Sequence, residues 1–64
     1  MYQISPYFRN LITDNDILSF AETHNFSVRT LMAWREGKRK AMEISLRFFA
    51  LRLGLGDNWR LLAA

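Results

Sequence analysis

Cysteine is absent from this chain of 64 residues. Its absence excludes disulfide bonds, thiolate metal sites and cysteine nucleophiles, and it favours a reducing, cytoplasmic compartment. Histidine occurs once, at His24, and the carboxylates are scattered along the chain. No acid–base pair, nucleophile–base pair or group of metal ligands is visible in this pattern. The sequence therefore predicts neither an enzyme nor a protein with a metal or another cofactor.

Long uncharged apolar runs are also missing. The first ten residues, MYQISPYFRN, lack the basic segment followed by an apolar stretch that marks an export signal. No run approaches the roughly 18 residues of a membrane span. We therefore expect a protein that is neither exported nor inserted in a membrane. Half of the residues are nevertheless apolar, with five Phe and two Trp among them, which suits one dense domain over residues 1 to 64.

Positive charge is concentrated in one short segment. Residues 1 to 28 carry a net charge of −2, residues 29 to 40 a net charge of +4, and residues 41 to 64 a net charge of +1. The middle segment sets five cations against Glu36, namely Arg29, Arg35, Lys38, Arg39 and Lys40. Such a cluster on an otherwise balanced domain indicates a polyanionic partner. A solvated face that raises solubility is the alternative that composition leaves open.

Capping residues and apolar spacing predict an all-α chain of about five short helices. Ser5 and Pro6 mark the start of the first, over about residues 6 to 13. Thr13 and Asp16 have the spacing of a capping box before the second helix, over about residues 15 to 24. On one side each of these helices carries apolar residues: Tyr7, Phe8, Leu11 and Ile12 on the first, and Ile17, Phe20, Ala21 and, as a half-buried position, His24 on the second.

The second half of the chain continues the helical pattern. Ser27 caps a third helix that extends to about residue 36 and ends at Gly37. A fourth helix covers about residues 41 to 53, and its apolar surface is wide enough to predict packing on two sides. Asp57 can cap a last short helix that carries three large apolar residues, Trp59, Leu61 and Leu62.

The second and third predicted helices have the residue types of a helix-turn-helix at about residues 15 to 36. Two helices that cross through a tight turn need a small residue where they approach, and Ala21 supplies it. The turn needs a residue that tolerates positive φ, and Asn25 does so. Large apolar residues at Phe20, Phe26, Leu31 and Trp34 can anchor both helices.

The run FAETHNFSVRTLMAWREGKRK, residues 20 to 40, resembles the phage repressor and Cro-like, or XRE-type, helix-turn-helix family. The run LRLGLGDNWRLL, residues 51 to 62, looks like the closing segment of the same family. The resemblance implies a compact lambda-repressor-like bundle of about five helices. It also implies a transcriptional regulator, usually a repressor, that binds a two-fold site on double-stranded DNA as a homodimer, formed in free solution or completed on DNA. No small-molecule ligand is implied.

The resemblance assigns three sets of site residues. Base reading would fall to the N-terminal part of the third helix, at Ser27, Val28, Arg29, Met32 and Ala33. Contacts with the DNA backbone would involve Thr30, Lys38, Arg39 and Lys40. Dimer contact and core closure would involve Leu55, Trp59, Leu61 and Leu62. Where the family usually has a Gln that holds a phosphate, at the start of the second helix, this chain has Asp14 and Asp16, which would repel one.

Two other functions fit the same pattern. Val28, Met32 and Ala33 form an apolar surface that suits thymine methyl groups or, equally, another protein. A protein-interaction adaptor, such as an antitoxin-like or phage-encoded inhibitor, would use the fold in this second way. An excisionase-like architectural protein would bind DNA without regulating a promoter. DNA binding depends strongly on salt, and this dependence distinguishes it from the protein-binding alternative.

Overall fold

The computed structural model describes residues 1 to 56, which contain four α-helices. These are α1 (Pro6–Arg9), α2 (Asp14–His24), α3 (Val28–Glu36) and α4 (Glu43–Arg52). This part of the chain has no strand, and an isolated antiparallel bridge joins Tyr2 to Ala41. The all-helical class is confirmed, whereas the fifth helix predicted from Asp57 lies outside the described residues. None of the described helices is long and apolar enough to cross a membrane.

Helix α1 is shorter than the segment 6 to 13 predicted from the sequence. Ser5 accepts a hydrogen bond from the Tyr7 N–H, as expected of a cap, but the helix ends at Arg9. Thr13 has an extended backbone because it is the N-cap of α2. A residue that is extended for the next helix cannot also be helical in the preceding one, so α1 must stop early. Leu11 is consequently 51% exposed instead of lying in the core.

Helix α4 starts two residues later than the sequence predicts. Ala41 and Tyr2 exchange two main-chain hydrogen bonds, each with an N···O distance of 2.9 Å. This pairing holds Ala41 in an extended conformation, so the helix begins only at Glu43. Its N-cap, Met42, has no side-chain acceptor to offer. At the other end Gly54 adopts a φ of 79°, in agreement with the predicted helix stop.

The core of the described chain draws on α2, α3 and α4, on the segments that flank α1 and on the segment before α4. It contains the predicted α2 stripe of Ile17, Phe20 and Ala21, with His24 half-buried beside it. The other buried apolar residues are Ile4, Ile12, Leu31, Trp34, Ala41, Leu46, Phe49 and Ala50. Aromatic rings pack edge to face within it: the Phe49 ring centroid lies 4.9 Å from that of Phe20 and 5.8 Å from that of Trp34.

One side of α4 lies at the edge of this core, where the Phe48 ring centroid is 5.7 Å from that of Phe20 and 4.9 Å from that of His24. Ile44, Phe48 and Leu51 recur at helical spacing and are 73%, 38% and 54% exposed. We call these three residues the α4 outer face. The breadth of its apolar surface predicts packing of α4 on two sides; within residues 1 to 56, Leu46, Phe49 and Ala50 are the α4 residues fully enclosed in the core.

Candidate nucleic-acid interface

The turn between α2 and α3 has the geometry that its sequence predicts. Asn25 is the one non-glycine residue with positive φ among residues 1 to 56, at φ 57° and ψ 48°. Its N–H and the N–H of Phe26 both donate to the Ala21 carbonyl, the second at 3.0 Å. Ala21 is buried, so the small side chain lets the two helices approach at the turn. Three residues, 25 to 27, therefore suffice to connect α2 to α3.

Both ends of α3 are fixed by residues that were predicted to fix them. The Ser27 hydroxyl accepts a hydrogen bond from the Thr30 N–H at 3.4 Å. Gly37 closes the helix in the left-handed region, with φ 72°. The inner side of the helix is anchored because Leu31 and Trp34 are buried, and the partly exposed Phe26 ring packs against Trp34 with 5.7 Å between ring centroids.

Four of the nine residues predicted to meet DNA lie together beside the outer side of α3. Arg29, Met32, Ala33 and Lys38 line one shallow groove of about 400 Å³, together with Arg35 and Glu36. The other five do not line this groove: Ser27, Val28, Thr30, Arg39 and Lys40. Val28 and Met32 are half-buried and pack partly against the core, so each offers only part of its side chain to a partner. Leu55, assigned to core closure, is half-buried against the core, while Trp59, Leu61 and Leu62 lie outside the described residues.

Four cations of the basic segment make no ion pair within residues 1 to 56. They are exposed on α3 or immediately after it, and they are Arg29, Lys38, Arg39 and Lys40. The main-chain N–H of Lys38 donates to the Ala33 carbonyl at 3.0 Å, which holds the start of this segment against the end of the helix. Lys38 belongs both to the groove and to the basic segment after α3, and we call the groove and this segment together the α3 face.

Arg35, counted with the basic cluster in the sequence, has a structural role instead. Its Nη1 lies 2.7 Å from Asp14 Oδ1 and donates to the Ile12 carbonyl at 3.1 Å, and its Nε lies 3.0 Å from Glu36 Oε2. The hydrogen bond with Asp14 raises the pKa of the guanidinium above its ordinary value, against the opposing effect of burial. Arg35 therefore ties the start of α2 to the end of α3.

The carboxylates at the start of α2 are both engaged within the protein. Asp16 accepts a hydrogen bond from the Thr13 N–H, and Thr13 accepts one from the Asp16 N–H, each at 3.0 Å. This reciprocal pair is the predicted capping box. Asp14 is committed to Arg35, a contact that no local sequence pattern indicates because 21 positions separate the two residues.

His24 lies among aromatic rings, away from the α3 face. Its ring centroid is 4.5 Å from that of Phe20 and 4.9 Å from that of Phe48. Within residues 1 to 56 no group of three or more His, Asp or Glu side chains is arranged to hold a metal ion. His24 thus occupies the half-buried position in the α2 stripe that the sequence predicts.

Comparisons with protein-family models, with curated proteins and with solved structures return no match for this chain. The resemblance to the XRE-type family therefore stays an interpretation of the sequence, and the function must be argued from the helices and charges described above.

Proposed function

We propose that this chain is a sequence-specific, double-stranded DNA-binding transcriptional regulator. In this proposal it is a Cro-like repressor of phage or mobile-element type that acts in the cytoplasm, at the nucleoid, and binds a two-fold operator as a homodimer. The finer fold assignment, a lambda-repressor-like bundle closed by a fifth helix with Trp59, Leu61 and Leu62, belongs to the same proposal.

One observation carries the proposal: a helix held by a tight turn presents a cationic face on which four cations form no ion pair within the described residues. Arg29 lies two positions after the cap of α3, at the end of a helix that would enter a major groove. The exposed lysines and arginine from residue 38 to residue 40 follow the other end, where phosphates would lie. Base contacts and backbone contacts thus come from different parts of one rigid unit.

Selection of bound duplexes from a random pool, followed by a salt titration on the selected site, tests the proposal. Each neutralised phosphate adds about −0.9 to the slope of log K against log salt, so three to five contacts per subunit would give a dimer a slope of roughly −5 to −9. No detectable duplex binding at about 50 mM salt, or an affinity that hardly depends on salt, would refute it. Sedimentation with the selected duplex tests the dimer, since one protein chain per two-fold site would contradict it.

The second candidate function is a protein-interaction adaptor, and the α4 outer face favours it. Ile44, Phe48 and Leu51 expose an apolar stripe that a protein partner could bury. An adaptor that uses this stripe would bind its partner with little dependence on salt and would show no enrichment of any duplex. The excisionase-like alternative would bind duplex with the same salt dependence, but it would bend the DNA without repressing a promoter.

A further inference from the structure

Arg9 is the single Lys or Arg between residues 1 and 28. It lies in the last turn of α1, and its guanidinium rests directly on Gly37, the C-cap of α3. A Cβ built on Gly37 would lie 2.8 Å from Arg9 Cζ and would overlap Nη2. Glycine at position 37 therefore does two things: it allows the left-handed φ of 72°, and it leaves room for the guanidinium.

This guanidinium has no acceptor within residues 1 to 56. Its Nε is buried and makes no hydrogen bond. The carboxylate adjacent to Gly37 in sequence, on Glu36, is bonded to Arg35 Nε at 3.0 Å. The Asp14 carboxylate is also engaged, by Arg35 Nη1 at 2.7 Å. A buried donor without an acceptor is unfavourable. Because Nε itself is closed to solvent while Arg9 as a residue is only half-buried, an outside partner would meet the guanidinium through its Nη groups.

The C-terminal end of α3 explains why the Arg9 guanidinium lies beside Gly37, but it does not provide acceptors for the guanidinium N–H groups. The negative end of a helix dipole attracts a cation. Two carbonyls of the last turn are already hydrogen-bonded, because Ala33 accepts from the Gly37 and Lys38 N–H groups and Trp34 accepts from the Gly37 N–H, and no carbonyl at this helix end accepts from Arg9 Nε. A guanidinium has five N–H donors in a planar fork, which matches two oxygens of one phosphate.

We propose that Arg9 donates to a DNA phosphate beside Lys38, so that α1 contributes a backbone contact at the C-terminal end of α3. The inference rests on the proposed duplex binding and adds one contact to the α3 face. It places a residue from outside the basic segment in the interface. It also makes Gly37 a determinant of DNA affinity, since a side chain at this position would displace the guanidinium.

The test compares Arg9→Met with a matched control, Arg52→Met, on short duplexes of both selected and unrelated sequence. Both changes remove one positive charge, but Arg52 stacks on the Phe48 ring, with 5.2 Å from Cζ to the ring centroid, at the end of α4. Arg9→Met should weaken binding to every duplex and lower the magnitude of the salt slope by about 0.9 for each subunit. Arg52→Met should leave the slope unchanged, and Arg9→Lys should retain most of it.

Two further measurements separate a DNA contact from a structural role. Because the attraction to the end of α3 is small and the guanidinium has no hydrogen-bond acceptor in the described chain, Arg9→Met should shift the urea midpoint little. A lower midpoint with an unchanged salt slope would overturn the proposal. In the unaltered protein, the NMR signal of the Arg9 Nε–H should shift on addition of duplex, while that of Arg52 should not.

The outcomes also separate this inference from the proposed function. Absence of duplex binding by the unaltered protein would remove both. Duplex binding with equal salt slopes for Arg9→Met and Arg52→Met, or with an unshifted Arg9 signal at saturating duplex, would remove the Arg9 contact alone.

Discussion

The outer sides of α3 and α4 differ in kind although their inner sides are alike. Both helices bury large apolar residues in the same core, Leu31 and Trp34 from α3 and Leu46 and Phe49 from α4. Outward, α3 and the segment after it present Arg29 and the three cations from residue 38 to residue 40, whereas α4 presents the apolar stripe of its outer face beside two exposed cations, Arg47 and Arg52. Burial accounts for the inner sides alone. Under the proposed function the cations of the α3 face suit a polyanion, whereas the apolar stripe of the α4 outer face suits an apolar surface.

The α2–α3 unit and α4 also differ in how the ends of their helices are fixed. Helices α2 and α3 each have a side-chain N-cap and a left-handed residue at the C-cap, all within a few positions in sequence. Helix α4 has no side-chain cap, and the residue before Met42 is held by pairing with Tyr2. The α2–α3 unit is therefore encoded locally, whereas the start of α4 depends on tertiary contact.

The largest expected effect comes from the shared core. Phe49→Ala should lower the free energy of unfolding by about 3 to 5 kcal/mol, because Phe49 is fully buried and its removal leaves a cavity between Phe20 and Trp34. Phe48→Ala, one position away on the same helix, should cost about 1 kcal/mol because that ring is partly exposed. Urea denaturation measures both. Equal losses would mean that the α4 outer face is covered in solution and would end the contrast with α3.

An intermediate effect should come from the α3 face. Arg29→Ala should weaken binding to the selected site by about 1 to 3 kcal/mol and relax the preference at one position per half-site, with little change in the salt slope. Lys38→Ala should instead weaken all duplexes alike and reduce the slope by about 1 for each phosphate that is no longer neutralised. Binding titrations at several salt concentrations distinguish the two. If Arg29→Ala weakened every sequence equally, Arg29 would be a phosphate contact and α3 would not lie in the groove as proposed.

The smallest effect should come from the α4 outer face. Ile44→Gln should change the free energy of unfolding and the duplex affinity by no more than about 0.5 kcal/mol, because Ile44 is 73% exposed and lies on α4, outside the basic segment. Denaturation and a duplex titration provide the two values. A clear fall in duplex affinity without loss of stability would assign the α4 outer face to the dimer contact. Both the α3 face and the α4 outer face would then contribute to DNA binding.

Local features of the fold could be predicted from the sequence because short-range chemistry determines them. The capping box of Thr13 and Asp16, the left-handed Asn25, and the Ser27 and Gly37 caps of α3 all depend on residues a few positions apart. Backbone sterics and side-chain hydrogen bonds specify such features wherever the residue types occur in this order.

Features that join distant segments could not be predicted in this way. The Tyr2–Ala41 pairing, the bond from Arg35 to Asp14 and the seat of Arg9 on Gly37 each depend on how helices pack. They account for the errors at the start of α4 and for treating Arg35 as part of the basic surface. The sequence is enough to calculate the net charge of residues 29 to 40, but only the packing of the helices distinguishes the cations that form ion pairs from those that do not.

The Tyr2–Ala41 pairing has a consequence for the three cations that precede it. Lys38 is held at one end by its bond to Ala33, and Ala41 is held at the other by two bonds to Tyr2. The chain between these anchors is too short to explore many conformations, so little backbone entropy remains to be lost when Lys38, Arg39 and Lys40 engage a partner. A bridge to the second residue of the chain thereby lowers the entropic cost of ordering the cationic segment on association.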